Sequence, residues 1–354
     1  MQPVLKKQIY FFKAAPHIQV CGLRCKIFRQ SIQIIGRHTD VWVPIFGQPD
    51  GIRFKQGVRR KLCGGALRFY RTLREADMTK KAVVVNDLSG FGKCSLTASV
   101  AVLSAMGIQP CPLPTAVLSA QTEFENYVCK DLTGEMPGFI SAWKENRERF
   151  DAIYTGYFAN EKQIGYALEL CGAFKKDGCM LLVDPVMGDE GRLYPAYHAA
   201  AADAMKELAG CADIITPNLT ELCILTGEDY FSLSSNSEKS DYFERIADAA
   251  RKLECRQIIV TGIGTKGGIS NLVLSDDDAR IIRGKRRNER FSGTGDLFSS
   301  VVCGGMLNGK TPYDSALLAA RFVEKSIDDT LCEPYDPLYG VNFENNLSML
   351  TEVK

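Results

Sequence analysis

From Lys81 onward, short runs of β-branched and apolar residues alternate with longer stretches of helical periodicity. The predicted strands are Ala82–Val85, Ala152–Tyr154, Met180–Val183, Ile214–Thr216 and Ile258–Thr261. The predicted helices are Lys162–Lys175, His198–Leu208, Tyr242–Leu253 and Leu297–Leu307. Such alternation predicts an α/β fold, with a mainly parallel central sheet and helices on both of its faces. Ligands of such a sheet gather at the C-terminal ends of the strands, so we expect the functional residues there.

The first 77 residues differ sharply in charge from the rest. They hold 15 Lys and Arg against four acids, whereas residues 78–354 hold 28 against 38. They also show no clean period of 2 or 3.6 residues, and organisation begins after Met78. Three interpretations stay open: an extension translated upstream of a natural start at Met78, an Arg-rich targeting segment, or a basic arm for nucleic acid or lipid. We expect residues 1–77 to be a poorly ordered basic extension without a catalytic role, and residues 78–354 to form the folded domain.

Composition narrows the class of protein. A chain of 354 residues with 45% hydrophobic content can bury a substantial core. No apolar run reaches the roughly 18 residues of a membrane span, so we expect a soluble protein that does not bind membranes. The 13 cysteines include no Cys-x-x-Cys pair, which favours reduced thiols in the cytoplasm over a zinc site or disulfides. The acidic body after Met78 gives no basic footprint for nucleic acid.

The segment Phe291–Phe298 reads Phe-Ser-Gly-Thr-Gly-Asp-Leu-Phe and leads into a predicted helix. The N–H groups of Gly293, Thr294 and Gly295 would lie at the N-terminus of that helix, where partial positive charge and small side chains suit a phosphate. The Asp296 carboxylate, one residue further on, can take a proton. The turn therefore predicts a phosphoryl-transfer centre.

Two other glycine motifs are weaker. Gly90–Ser95 resembles a phosphate-binding Walker loop, but Asp87 stands where that motif needs glycine and Cys94 where it needs Ser or Thr. Gly262–Gly267 matches G-x-G-x-x-G, yet residues 269–274 look like a strand, whereas a dinucleotide fingerprint opens a helix. We therefore predict a hairpin at Gly262–Gly267, with a nucleotide contact still open.

Polar residues follow two of the predicted strands. Asp184 and Asp189 surround a turn after one, and Asn218 and Glu221 lie three residues apart after the next. Carboxylate oxygens suit Mg²⁺, directly or through its water molecules. Alternatively, Asp184 and Asn218 cap helices, and Glu221 completes a capping box. Together with the Gly293–Asp296 turn, these segments favour a binding site over capping alone.

These residues together resemble a known family, the vitamin B6 kinases of the ribokinase superfamily. The resemblance covers about Lys80 to Leu331 and rests on motifs in the family's order. They are Asp87–Gly92, Thr115–Thr122, Thr155–Tyr157, the Asp184 turn with Tyr194 and Pro195, Asn218–Glu221, and Gly293–Asp296. Residues 78–354 are then identified as a ribokinase-like kinase domain.

The resemblance implies ATP-dependent phosphorylation of the 5′-hydroxymethyl group of pyridoxal, pyridoxamine or pyridoxine. It implies that Asp296 is the base and that the Gly293–Gly295 amides stabilise the phosphoryl group. It further implies a homodimer, and it leaves the need for a monovalent cation open. The remaining implied roles are Mg²⁺ binding for Asp184 and Glu221, the ATP site for Asp184, Asp189, Thr216, Asn218, Glu221 and Thr261, and the substrate site for Ser89, Thr122, Tyr157, Tyr194 and Asp296. Tyr157 as a core residue and Ser89 as a turn residue are the simpler alternatives.

The motifs do not all resemble one branch of the superfamily. Asp87–Gly92 is similar to the D-x-S-G-x-G of hydroxymethylpyrimidine kinases, whereas the Thr122 segment and the Asp of the glycine turn are similar to pyridoxal kinases. Bifunctional pyrimidine and B6 kinases often carry Cys in that turn. A pyridoxal or pyridoxamine kinase is the first choice. The alternatives are a hydroxymethylpyrimidine kinase, a ribokinase-like sugar or nucleoside kinase, and a catalytically silent B6-binding protein.

Overall fold

The chain divides into two compact units, Met1–Met78 and Thr79–Lys354. The computed structural model describes residues 79–351 except 176–177, 195–196, 198, 236, 276–277, 286 and 288, and in the first unit it describes the backbone of strands only. Those strands are β1 (His17–Val20), β2 (Leu23–Phe28), β3 (Ser31–Gly36), β4 (Thr39–Pro44) and β5 (Arg53–Phe54). They pair antiparallel in chain order.

These N-terminal strands were not predicted from the sequence. Each is six residues or shorter, and the alternation of apolar and polar residues in β2, from Leu23 to Ile27, was the available signal. The other residues of 1–77 lie outside the described part of the chain. That the segment is an extension without a catalytic role stays a prediction.

The second unit is built on a nine-stranded sheet among the described residues, in the order β16-β15-β14-β13-β10-β9-β6-β7-β8. The run from β14 to β7 is parallel, and β8, β15 and β16 join antiparallel at the two edges. A separate hairpin is formed by β11 (Gly188–Asp189) and β12 (Arg192–Leu193). The strands of the large sheet are β6 (Lys81–Ser89), β7 (Gln109–Leu118), β8 (Cys129–Asp131), β9 (Ala152–Thr155), β10 (Met180–Val183), β13 (Ile214–Ile215), β14 (Gln257–Thr265), β15 (Gly268–Ser275) and β16 (Asp278–Gly284). The predicted mainly parallel α/β sheet is confirmed.

The helices cover both faces of this sheet. They are α1 (Ser95–Ala105), α2 (Met136–Glu145), α3 (Glu161–Phe174), α4 (Ala199–Gly210), α5 (Leu219–Thr226), α6 (Tyr230–Ser234), α7 (Tyr242–Ala250), α8 (Thr294–Leu307), α9 (Pro312–Leu331) and α10 (Ser348–Thr351). The four helices predicted from the sequence are present as α3, α4, α7 and α8. None of the helices in the described part of the chain has both the length and the apolar character needed to cross a bilayer.

Alternation along β6 divides the core into two layers. Val83 and Val85 belong to the apolar cluster built with α2 to α7, whereas Ala82 and Val84 belong to the cluster built with α1, α8, α9 and α10. Successive side chains of a strand point to opposite faces, so a fully apolar strand is buried by helices on both sides. This arrangement fixes the C-terminal end of β6 beside the N-termini of α1 and α8.

Strand β7 was missed because it contains Pro110, Pro112 and Pro114. The N–H of Gln109 donates to Lys80 O in the backbone before β6, at 2.8 Å. Since N–H groups alternate in direction along a strand, the three prolines occupy positions whose nitrogens face away from β6. Strand β8 pairs only with residues 116–118, so the missing donors would have had no partner strand.

Candidate active site

Three of the predicted site residues, Asp296, Asp184 and Thr216, meet where the parallel strands end against the N-terminus of α8. Asp296, in the first turn of α8, contacts the end of β6 through Asn86. One turn further along the same helix, Ser299 contacts Asp184 after β10 and Thr216 after β13. The position agrees with the expectation that ligands of a parallel sheet bind at the C-terminal strand ends.

Asp296 accepts one hydrogen bond on each carboxylate oxygen. Asn86 Nδ2 donates to Oδ1 at 2.8 Å, and the backbone N–H of Ser95, at the start of α1, donates to Oδ2 at 2.8 Å. Burial raises the pKa of Asp296 to about 6; the bond from Ser95 opposes the rise, the charge of Asp87 adds to it, and the bond from Asn86 opposes it. Asp296 is therefore mainly ionised at neutral pH, with a pKa close to what a general base needs.

The turn before Asp296 requires glycine at position 293. Gly293 has φ +79°, and a Cβ atom there would lie 2.5 Å from Lys93 O. Among the described residues, the backbone N–H groups of Gly293, Thr294 and Gly295 have no hydrogen-bond acceptor. Free donors at a helix N-terminus favour an anion. That these amides bind a phosphoryl group stays a prediction.

Asp184 lies at the head of a short hydroxyl chain. Ser299 Oγ donates to Asp184 Oδ2 at 2.9 Å. Thr216 Oγ1 lies 2.9 Å from Ser299 Oγ, and since the Ser299 proton is used, Thr216 is the donor. Burial, and then the charge of Asp296, raises the pKa of Asp184. Asp184 Oδ1 has no hydrogen-bond partner in the described part of the chain, so this buried carboxylate has an oxygen left for a cation.

Glu221 and Asn218 form the capping box that was the alternative interpretation. Asn218 Oδ1 accepts from Glu221 N at 2.9 Å, and Glu221 Oε2 accepts from Asn218 N at 2.8 Å. The other oxygen, Oε1, accepts from Met187 N at 3.1 Å. Burial and the charge of Asp184 raise the pKa of Glu221 well above its ordinary value. Because backbone donors already hold both oxygens, Glu221 fits a cation through water rather than as a direct ligand.

The described residues contain no group of three or more His, Cys, Asp and Glu side chains arranged to hold a metal by themselves. Mg²⁺ takes few protein carboxylates and completes its shell with water and phosphate oxygens. The donor set of Asp184, with Glu221 behind it, therefore fits a magnesium ion that arrives with a nucleotide.

Two other residues predicted for the nucleotide site have local partners. Asp189, in the β11–β12 hairpin, is ion-paired with Arg290, which also pairs with Glu190 at 3.2 Å. Arg290 lies three residues before Gly293, so this pair joins the hairpin to the glycine turn. Thr261 pairs through its backbone, its N–H donating to Pro217 O at 2.8 Å.

The predicted substrate residues fall into two groups. Ser89 is buried and donates to Asp87 Oδ2 at 2.7 Å, and the half-buried Tyr157 donates its backbone N–H to Asn86 at 2.9 Å. Tyr157 is therefore linked to Asp296 through Asn86, and Ser89 is linked to it through Asp87 and then Asn86. Burial raises the pKa of Tyr157 to about 12, so its hydroxyl stays protonated.

Thr122 and Tyr194 are not linked to Asp296 by hydrogen bonds in the described part of the chain. Thr122 is exposed in the turn after Gln121. Tyr194 is 40% exposed beside the β11–β12 hairpin, and its backbone N–H donates to Met187 O at 2.9 Å. Their roles in substrate binding stay predictions.

The two weaker glycine motifs lie at different places in the sheet. The turn at Gly90 leads into α1, whose first N–H, that of Ser95, donates to the Asp296 carboxylate. Gly262–Gly267 spans the end of β14 and the turn into β15, which confirms the predicted hairpin.

Two residues of the site, Asn86 and Ser299, were not predicted from the sequence. Asn86 follows three buried valines in β6 and is itself fully buried, so a polar residue ending an apolar strand was the available signal. Ser299 lies three residues after Asp296 on α8, a spacing that puts both on one side of a helix.

Comparison with known proteins identifies the family. The model of the phosphomethylpyrimidine kinase family matches residues 91–334. The chain belongs to this family. A pyridoxal kinase from Dictyostelium discoideum is 22% identical over 263 residues, covering 70% of this chain and 84% of its own length. A hydroxymethylpyrimidine/phosphomethylpyrimidine kinase from Rhizobium meliloti is 24% identical over 255 residues, covering 69% and 88%.

A solved structure matches as well. It is the crystal form with pyridoxal of a Bacteroides thetaiotaomicron protein that is provisionally described as a phosphomethylpyrimidine kinase. That structure is 35% identical with a TM-score of 0.70, and the match covers 77% of this chain and 96% of that one. The predicted ribokinase-like fold and the resemblance to vitamin B6 kinases are confirmed, and this family member is a small-molecule kinase.

Proposed function

We propose that this kinase transfers the γ-phosphoryl group of ATP to the 5′-hydroxymethyl group of pyridoxal, pyridoxamine or pyridoxine. The observation that carries the proposal is the Asp296 carboxylate, held at the N-terminus of α8 directly after three backbone N–H groups that have no acceptor among the described residues. The proposed base, Asp296, therefore follows the last amide of the proposed anion site, that of Gly295, by one residue. The pyridoxal kinase named among the relatives, and the pyridoxal in the Bacteroides structure, support the choice of acceptor.

In the proposed reaction, the substrate hydroxyl gives its proton to Asp296 while its oxygen bonds to the γ-phosphorus. The bond between that phosphorus and the β–γ bridging oxygen breaks, and ADP leaves with the electron pair. The N–H groups of Gly293, Thr294 and Gly295 stabilise the negative charge on the transferring group. Proton transfer can be late, so a carboxylate with a pKa of about 6 is a sufficient base.

Magnesium, when bound, would neutralise part of the triphosphate charge. Asp184 would hold it through Oδ1, directly or through water, and Glu221 through water alone. The hydroxyl chain through Ser299 to Thr216 keeps the Asp184 carboxylate oriented. Asp189, Asn218 and Thr261 remain candidates for the nucleotide site. The cytoplasmic location, the homodimer and the role of a monovalent cation are proposals from the resemblance alone.

The Asp87–Ser89 pair bears on the acceptor ring. Ser89 uses its only proton on Asp87 Oδ2, so its oxygen is left to accept from the substrate. A protonated pyridine nitrogen can supply that donor, and so can the amino group of hydroxymethylpyrimidine. Hydroxymethylpyrimidine kinase is therefore the second candidate, and it is supported by the Rhizobium relative.

A substrate panel tests the proposal. The protein is incubated with Mg-ATP and pyridoxal, pyridoxamine, pyridoxine or hydroxymethylpyrimidine in turn, and kcat/KM is measured from ADP release. We expect the highest kcat/KM with a B6 vitamer. A higher value with hydroxymethylpyrimidine supports the second candidate, and turnover of none of the four rejects both. Tight pyridoxal binding without turnover would identify a silent binding protein.

A further inference from the structure

Asn86 stands between the base and the substrate side of the site. Its Nδ2 donates to Asp296 Oδ1 at 2.8 Å, and its Oδ1 accepts from Asp87 N at 3.0 Å and from Tyr157 N at 2.9 Å. A backbone N–H can only donate, so the amide oxygen must face those two groups. The amide orientation is thereby fixed, and the NH₂ group must face the Asp296 carboxylate.

The side chain also has no room to rotate. Asn86 is fully buried, and a Cβ atom on Gly156 would lie 2.5 Å from Asn86 Nδ2 and 2.8 Å from its Cγ. Backbone of the Thr155–Tyr157 segment therefore packs directly on the amide. Glycine at position 156 is what allows this close approach.

We propose that Asn86 is a positioning residue, whose amide fixes one oxygen of the Asp296 carboxylate and ties that base to the backbone of Tyr157. The inference rests on the proposed function, since it assigns the held carboxylate to proton removal. Ser95 N holds the other oxygen, so the carboxylate plane is fixed by two donors from two elements, the end of β6 and the start of α1. A base fixed in this way meets the acceptor hydroxyl in one geometry.

The same hydrogen bond favours the ionised form of Asp296 against burial. The other titratable groups that face Asp296 are Asp87 on β6, Cys94 before α1, Tyr154 on β9 and Asp184 after β10. None of these supplies positive charge, and the nearby Lys93 is paired with Glu344 at 2.9 Å. Loss of the Asn86 donor should therefore raise the pKa of Asp296 above about 6.

Asn86→Asp tests the inference because it keeps the shape and an oxygen for the two backbone donors while replacing the NH₂ group with an oxygen. We expect the acid limb of the kcat profile to move up by about one pH unit or more, as for two adjacent carboxylates. At pH 7, kcat should fall at least about twofold, because a pKa moved from about 6 to about 7 leaves only half of Asp296 ionised, and KM for Mg-ATP should change less than about threefold.

The matched control is Asn346→Asp. Asn346 is also buried, and its Nδ2 donates to Asp329 Oδ2 at 3.0 Å, in the region after α9. The Asn346→Asp substitution should leave the acid limb of the kcat profile at its wild-type position. If Asn86→Asp does not fold by circular dichroism, Asn86→Ala is measured, for which the limb should move in the same direction by a smaller amount.

A second readout does not depend on the substrate. The titration of the Asp296 carboxyl is followed by ¹³C NMR, with the resonance assigned by its absence in Asp296→Asn. We expect this titration to move to higher pH in Asn86→Asp and to stay unchanged in Asn346→Asp. If the wild-type protein turns over no vitamer but the titration still moves, the proposed substrate is wrong and the hold of Asn86 on Asp296 is supported. If an active protein shows neither movement in Asn86→Asp, the inference is overturned.

Discussion

Replacing Asp296 with asparagine isolates the proposed base with little change in shape. In the wild-type protein the two carboxylate oxygens accept from Asn86 Nδ2 and Ser95 N, both at 2.8 Å. An asparagine has one oxygen and one NH₂ group, so one of these donors would face another donor. The substitution therefore removes the proton acceptor and one hydrogen bond together.

The lost hydrogen bond lowers the free energy of unfolding, whereas the lost proton acceptor lowers kcat. An unpaired buried donor costs about 1–3 kcal/mol of unfolding free energy. The neutral amide offsets part of this, because burial disfavours the ionised carboxylate whose pKa is raised to about 6. Loss of general-base catalysis lowers kcat by about 10²–10⁴-fold. We therefore expect Asp296→Asn to fold, with kcat reduced by at least about 10²-fold and KM for ATP little changed.

The assay combines ADP release at saturating Mg-ATP and vitamer with urea unfolding of the same preparation. The control is Asp229→Asn, at the N-cap of α6, where Oδ1 accepts from Ser232 N at 2.7 Å. Asparagine caps a helix as well as aspartate does, so this control should keep both kcat and stability. Turnover near the wild-type value in Asp296→Asn would refute Asp296 as the base.

Three further predictions follow from the same site. Because the ionised form of Asp296 is the active one, kcat should be half-maximal near a pH of about 6 and lost below it, roughly tenfold per pH unit; a kcat independent of pH from 5 to 8 would contradict this. Gly293→Ala should lower the midpoint of urea unfolding, because a Cβ atom would lie 2.5 Å from Lys93 O at φ +79°, and an unchanged midpoint would show that the turn relaxes freely. Ser299→Ala should raise the Mg²⁺ concentration needed for half-maximal turnover several-fold, since Asp184 loses the hydroxyl that orients it. Ser315→Ala, which removes a buried hydroxyl that has no partner in the described part of the chain, should leave that concentration unchanged.

The sequence predicted the parallel core because its strands are apolar on both faces, as Val83–Val85 in β6 shows. Buried strands of this kind are recognisable in a sequence as continuous apolar runs. Strand β7 was not recognisable in this way, because prolines such as Pro110, Pro112 and Pro114 are rare inside strands. They are tolerated here because their nitrogens face away from β6. The direction of those nitrogens depends on which strand lies beside β7, and the sequence alone does not show this.

The candidate site also contains some features that the sequence predicted and others that it did not. The Gly293–Asp296 turn and the Asn218–Glu221 capping box are local, so their spacing along the chain indicated them in advance. The bond from Asn86 to Asp296 and the pair of Asp189 with Arg290 join residues 210 and 101 positions apart. Nothing in the spacing of the sequence brings those partners together, which is why Asn86 was missed and Asp189 was assigned to the nucleotide alone.

The most direct test of the proposed reaction identifies its product. Purified protein is incubated with Mg-ATP and pyridoxal, ADP is quantified, and the phosphorylated product is identified by mass spectrometry and by phosphorus coupling to the 5′-methylene protons in NMR. We predict pyridoxal 5′-phosphate and ADP in equal amounts. ADP without a phosphorylated vitamer, or phosphate on a different oxygen, would contradict the assignment of this site to transfer onto the 5′-hydroxymethyl group.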